Sequence, residues 1–265
     1  MKLYLCFPEG KAKALTMSYD DGKWADERLV ELFNRHGIRG TFNLNYGLME
    51  RPERIDKDRI RQLYEGHEVA THTMTHPTIA RCPLTETAKE VLEDRIGLES
   101  LVGYPVRGHA YPNGSYNEEV KTLLGSLGIA YGRTAMWESG SMELPTDPME
   151  WNGPCHHNYH LMDYARTFAE FQKKQYLKCL YVWGHSYEFD RDDNWGLMEE
   201  FCAYMGGRED IWYATNIEII DYMEAGRRLQ YGAAGDFVYN PSARTVWISV
   251  DDVPLAVAGG QTVRF

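Results

Sequence analysis

The chain of 265 residues is long enough for one large domain, or one domain with a small appendage, and its 43% hydrophobic and 25% charged content is that of a folded protein with a substantial core. Its 28 Lys and Arg against 39 Asp and Glu give a formal net charge of -11, which argues against general binding to nucleic acid or to anionic membrane surfaces. The five cysteines, Cys6, Cys82, Cys155, Cys179 and Cys202, are scattered and form no C-x-x-C pair, so neither a disulfide framework nor a cysteine zinc site is expected and the compartment reads as reducing.

In chain order, MKLYLCFPEGKAK has an apolar run too short for a secretory signal, broken by Pro8 and Glu9. No later stretch reaches the length of a membrane span, and with Met1 as the natural start the expected location is the cytoplasm. Thr16 to Gly22 (TMSYDDG) reads as a strand that ends in two adjacent carboxylates, Asp20 and Asp21. Asp-Asp-Gly is ordinary turn chemistry, and that reading stands beside a functional one. Residues 24 to 36 carry Trp24, Leu29, Leu32 and Phe33 at amphipathic helix spacing, with Gly37 as the stop.

Strands are then expected at Thr41 to Asn45, His67 to Ala70, Pro105 to Ala110, Tyr131 to Thr134, Leu177 to Trp183 and Ile211 to Ala214. Helices are expected over Lys57 to Tyr64, Leu84 to Leu101, Asn117 to Leu127, Tyr164 to Tyr176 and Asn216 to Arg228. Seven or eight such alternations predict an α/β fold, a closed or nearly closed barrel of parallel strands with helices outside and its chemistry at the strand ends. From Gly232 the texture changes to short strand-like runs, Phe237 to Tyr239, Arg244 to Val250, Leu255 to Val257 and Thr262 to Phe265, without helices between them. The predicted organisation is a barrel over 1–231 and a small all-β appendage over 232–265. The irregular stretch Ala135 to His160 is long enough to suggest a ligand-binding role.

His72 and His76 stand four apart in HTMTH, a spacing that lets two imidazoles face one metal ion from a single turn and that unrelated surface histidines also show. A metalloprotease is disfavoured, because no Glu follows the first His. Two imidazoles with an open position need a further ligand, commonly a carboxylate, and the Asp20–Asp21 pair also follows a strand. One carboxylate can bind metal while the other stays free as a base, with the cation offsetting their repulsion.

TMSYDDG, HTMTH about fifty residues on, RGHAYPNG and the histidine of YVWGH occur in the order found in polysaccharide deacetylases, carbohydrate esterase family four, which the chain resembles over residues 12 to 225. The resemblance implies a distorted (β/α) barrel and metal-assisted hydrolysis of acetyl groups, usually on N-acetylated sugars. It implies Asp20 as general base, Asp21, His72 and His76 as ligands, His185 as the acid and the Asn113 backbone N–H as an oxyanion donor. Thr73 matches a position whose hydroxyl helps to fix the histidine loop. The implied cofactor is a divalent ion, zinc first, with cobalt, nickel or manganese compatible with the ligand set.

Three departures from the family pattern stand out. Arg107 lies five residues before Pro112, further than the family's arginine, and is the candidate to hold Asp20 ionised; Tyr111 precedes Pro112, and Asn113 replaces the usual aromatic. Asp147 and Trp151, in DPMEW, are the candidates for the family's Asp that tunes His185 and for a pocket wall, against a turn and a core residue. Trp183 replaces the usual Leu before His185 as the apolar pocket for the acetyl methyl, with Gly184 between, and Glu188, Asp190 and Asp192 to Trp195 are candidates to shape a sugar subsite. His156 and His157 read as cleft-lining or surface histidines. The expected partner is an acetylated carbohydrate, with no nucleic acid and no membrane. The alternatives are an acetyl (xylan) esterase, another C–N hydrolase such as a ring-opening amidase, and an inactive carbohydrate-binding relative.

Overall fold

The computed structural model describes residues 2–136 and 141–265, so positions 137–140 of the expected irregular stretch lie outside the described residues, as does Met1. The first half contains β1 (Leu3–Cys6), β2 (Lys13–Asp20), α1 (Asp26–His36), β3 (Gly40–Leu44), α2 (Ile60–Leu63), β4 (Glu68–Thr71), α3 (Leu84–Val102), β5 (Gly108–Ala110), α4 (Glu118–Ser126) and β6 (Tyr131–Arg133). Then come β7 (Cys155–His156), α5 (Leu161–Glu170), β8 (Lys178–His185), α6 (Tyr187–Arg191), α7 (Trp195–Met205), β9 (Ile211–Tyr213) and α8 (Asn216–Arg227). The last strands are β10 (Gln230–Tyr231), β11 (Phe237–Tyr239), β12 (Val246–Val250), β13 (Val253–Val257) and β14 (Thr262–Arg264).

Eight strands form one parallel sheet in the order β6-β5-β4-β3-β2-β8-β7, with β9 also on β2. Every residue of β2 is buried, as a central parallel strand covered on both faces requires. β8 pairs with β2 along its whole length, whereas β3 pairs only with Met17 to Asp20 and β9 only with Lys13 to Leu15. β3 and β9 thus share β2, and this split is the distortion of the barrel.

The helices follow from local chemistry. α1 has Asp26 and Glu27 in its first turn, buries Leu29, Leu32 and Phe33, and ends at Gly37 with φ 66°. Trp24, expected on its apolar face, precedes the helix and is 56% exposed. α8 opens on a reciprocal capping box between Thr215 and Glu218. Two helices unforeseen in the sequence, α6 and α7, connect β8 to β9, and β7 falls inside the stretch expected to be irregular.

The small sheets draw on more than the tail. β1 pairs antiparallel with β12, which pairs with β13, and β10 and β14 flank β11. The N-terminal strand, read as no element in the sequence, therefore joins the strands of the C-terminal stretch. The Tyr222 hydroxyl of α8 donates to Cys6 O and accepts from Trp247 N–H at 2.9 Å, tying α8 to β1 and β12.

Within the barrel, Glu68 on β4 is buried and accepts from the Thr41 hydroxyl, the Tyr131 hydroxyl and the Ile217 N–H, each at 2.9 Å. Burial raises its carboxyl to about 7. A carboxyl raised on folding contributes stability that is complete below its ordinary value and is lost as pH rises through about 7. Glu68→Gln removes that loss. Melting curves of the two proteins from about pH 5 to about pH 8 should show the difference, variant minus wild type, moving in favour of the variant as pH rises.

Candidate active site

The end of β2 sends its two adjacent carboxylates to different places. Asp20 closes the strand and is 3% exposed: Oδ1 accepts the Asn43 side-chain amide at 2.8 Å, and Oδ2 meets the Arg133 guanidinium. The Nε2 atoms of His72 and His185 lie 3.8 and 4.0 Å from the same Oδ2. Burial alone would raise the Asp20 carboxyl, but the Arg133 guanidinium, with the neighbouring His72 and His185 rings, outweighs it and lowers it to about 2. Asp21 has φ 82°, so the backbone leaves extended geometry between the two residues and the side chains part. Its N–H donates to Asn43 O at 2.9 Å, and its Oδ1 stands 3.4 Å from Arg54 Nη1. The turn reading of Asp-Asp-Gly is met here, and it is the turn that parts the two carboxylates.

HTMTH is a folded loop and not the single turn its spacing suggests. Thr73 and His76 have φ 67° and 63°, a conformation that costs on the order of 1–3 kcal/mol at each non-glycine residue. Hydrogen bonds offset that cost. Asn45 Nδ2 donates to the carbonyls of His72 and Thr73 at 2.6 and 2.9 Å, and Thr73 Oγ1 accepts the His76 N–H at 3.1 Å. Buried Asp94 of α3 accepts the Thr71 hydroxyl, the His72 N–H and the Tyr46 N–H.

His72 Nδ1 lies 2.7 Å from Ala110 O; a carbonyl only accepts, so Nδ1 carries the proton and the Nε2 lone pair is left for a metal. Burial lowers His72 to about 4, which keeps the ring neutral and ligand-competent. One ligand atom each from Asp21, His72 and His76 lie within 4.8 Å of one another. A carboxylate with two imidazoles is a donor set that fits zinc and other borderline divalent ions. A cavity of about 470 Å³ opens beside this cluster and Asp20, lined also by Tyr111, Asn113, Arg133, Trp183 and His185.

A family model described as polysaccharide deacetylase matches residues 8–132. The chain is related to the polysaccharide deacetylases. It is similar to a chitooligosaccharide deacetylase of Bradyrhizobium sp. (strain ANU 289), with 27% identity over 146 residues covering 54% of this chain and 60% of that one. It is also similar to the peptidoglycan-N-acetylmuramic acid deacetylase PdaC of Bacillus subtilis (strain 168), with 23% identity over 141 residues covering 52% of this chain and 27% of that one. Both matches span less than two-thirds of the relative. Among solved structures, a Mycobacterium smegmatis protein assigned to the polysaccharide deacetylases shares the fold, with TM-score 0.63 at 16% identity over 84% of this chain and 94% of that one.

In this polysaccharide deacetylase relative, His185 closes β8, and Trp183, Tyr111 and Asn113 line the cavity. Arg107 does not reach it. It precedes β5, at the end of the strand opposite to the cavity, and pairs with Asp221 at 2.7 Å. The guanidinium on Asp20 belongs to Arg133 at the C-terminal end of β6, which is 1% exposed and stands 4.8 Å from the Trp183 ring. Asp147 is also elsewhere, accepting from Lys121 Nζ at 2.9 Å and from Met149 N–H at 2.8 Å. Trp151 is core, edge-on to Tyr131 and Tyr181 at 5.8 and 4.9 Å, and does not line the cavity.

Arg133, Asn43, Asn45 and Asp94 were not legible as site residues. Of the paired histidines, His156 lines the cavity, whereas His157 is buried and stacked between Tyr19 and Phe189 at 5.7 and 4.2 Å. Arg133→Gln strands a buried carboxylate and should destabilise the fold by about 3–5 kcal/mol. Arg107→Gln breaks a half-exposed pair and should cost no more than about 1 kcal/mol. Urea denaturation of both variants checks the contrast.

Proposed function

We propose that the protein is a metal-dependent hydrolase that removes acetyl groups from sugars or oligosaccharides, with N-acetyl substrates ahead of O-acetyl ones. The observation that carries this reading is the meeting, at one end of the sheet, of the Asp21–His72–His76 ligand set with a separate carboxylate, Asp20, kept ionised by Arg133. Asp21, His72 and His76 would hold a divalent ion, zinc in the first place, which would supply Lewis acidity to polarise the acetyl carbonyl and acidify water. Asp20 accepts the proton of the attacking water.

His185 carries the proton for the leaving group. Burial disfavours its charge, but Glu188 and Asp20 outweigh that and raise it above the ordinary histidine value. An amide nitrogen leaves only when protonated, which is the ground for placing N-acetyl substrates first. The Asn113 N–H is the donor assigned to the oxyanion, on a turn where Asn113 has φ 56°. Trp183 forms the apolar wall for the acetyl methyl. The names of the relatives, which act on chitooligosaccharide and on peptidoglycan N-acetylmuramic acid, agree in substrate class.

Acetate release from N-acetylglucosamine oligomers and from acetylated xylan tests the reading, using metal-stripped protein with and without added zinc or cobalt. Release should require metal and fall by at least about 100-fold in Asp20→Asn. Metal-independent release, or an unaffected Asp20→Asn, would contradict it, and release from the xylan alone would reverse the N-acetyl preference.

A further inference from the structure

We infer that Glu188 is the residue that positions His185 for proton transfer, with His156 holding Glu188 in turn; the inference rests on the proposed hydrolase reading. Asp147, to which motif order would give this task, is committed to Lys121. Glu188 reaches the imidazole from α6, three residues beyond it. Its Oε2 accepts the His185 backbone N–H at 3.3 Å, which fixes the chain that carries the ring, and stands 3.5 Å from His185 Nδ1, within ion-pair reach. The opposite ring atom, Nε2, faces Asp20 Oδ2 at 4.0 Å. His185 is strung between two carboxylates, with Nδ1 turned to Glu188 and Nε2 left to deliver a proton towards the reacting atoms.

Glu188 is itself held. It is 6% exposed, and His156 Nε2 approaches Oε2 at 3.2 Å from the end of β7. His156 Nδ1 accepts the Asn158 N–H at 3.3 Å, which places the His156 proton on Nε2, pointing at Glu188. His157 Nε2 stands 3.4 Å from the same oxygen. Gly184 makes room for that ring, because a Cβ there would lie 2.1 Å from His157 Nδ1. The glycine before His185, a departure from the family pattern, is thus part of the cradle around Glu188.

The ligand atoms of His156, His157 and Glu188 also lie within 4.8 Å of one another, close enough for a metal ion. The His156 tautomer opposes that use, since a proton on Nε2 removes the lone pair a metal would take. The two imidazoles read instead as a polar cradle for the Glu188 carboxylate, with His156 turning its Nε2 proton towards it.

The test compares wild type, Glu188→Gln and Glu188→Asp, all zinc-loaded, on an N-acetylglucosamine oligomer and on p-nitrophenyl acetate, whose leaving group departs without a proton. Glu188→Gln should lower kcat on the oligomer by about 100-fold with little change in KM, and leave p-nitrophenyl acetate hydrolysis within about threefold of wild type. Glu188→Asp should recover part of the loss. Equal losses on both substrates, no loss on either, or a second zinc equivalent in wild type that disappears in Glu188→Gln would overturn the inference. ¹⁵N-histidine NMR of the same proteins reads His185 without turnover: the proton should sit on Nδ1 in wild type and redistribute in Glu188→Gln. An unchanged tautomer would also overturn the inference, whereas an inactive wild type with the expected redistribution would sink the hydrolase reading and leave the hold of Glu188 on His185 standing.

Discussion

The ion pair between Asp20 and Arg133 is the contact on which the rest of the site depends. A carboxylate this deeply buried stays ionised only against a fixed cation, and here the cation comes from a strand four places away in the sheet. In a flat sheet four strand spacings would separate the two by about 19 Å, far beyond the reach of an arginine side chain. The contact therefore requires the sheet to curl until the end of β6 faces the end of β2. That curl also brings the His72 loop, the end of β8 and the end of β7 around one cavity.

Burial alone does not set the charge state in this barrel. Asp26, Glu68 and Asp94 are as buried as Asp20, but their partners are mainly hydroxyls and backbone N–H groups, and burial raises each of them to about 7. Asp20 has Arg133 and two imidazoles around it and is lowered to about 2. The raised carboxyls act as hydrogen-bond hubs. Asp94 holds the start of the histidine loop, and Asp26 accepts from Ser186, the residue after His185, and from Tyr64 at 2.6 Å. Positions and charges of the site groups are thus set by different residues.

The groups that meet at the cavity were legible because they sit in short ordered motifs at strand ends: Asp20 and Asp21 in TMSYDDG, His72 and His76 in HTMTH, His185 in YVWGH. Alternating periodicity likewise gave most barrel strands and helices to within a few residues. Arg133 was not legible, because an arginine inside a three-residue strand has no local signature and its partner is 113 positions away. Arg107 looked like the better candidate through its nearness to the turn at Pro112, but it precedes its strand and so faces away from the cavity. The i, i+4 spacing of HTMTH suggested a helical turn, whereas buried acceptors and donors from β3, α3 and the chain beyond β3 fold it as a loop. Glu188, Asp190 and Asp192 to Trp195 were candidates to shape a sugar subsite; Glu188 lines the cavity, whereas Trp195 opens α7 and is 7% exposed, packed against Phe189.

The central claim is that adjacent carboxylates have separate tasks, one on the metal and one beside it. Anomalous diffraction at the zinc edge from crystals of the zinc-loaded protein tests this most directly. The account predicts a peak bound by Asp21, His72 Nε2 and His76, with the Asp20 carboxylate outside the coordination sphere and still on Arg133. A peak bridged by Asp20 and Asp21 together, or one seated on His156, His157 and Glu188 in place of the first cluster, would contradict it.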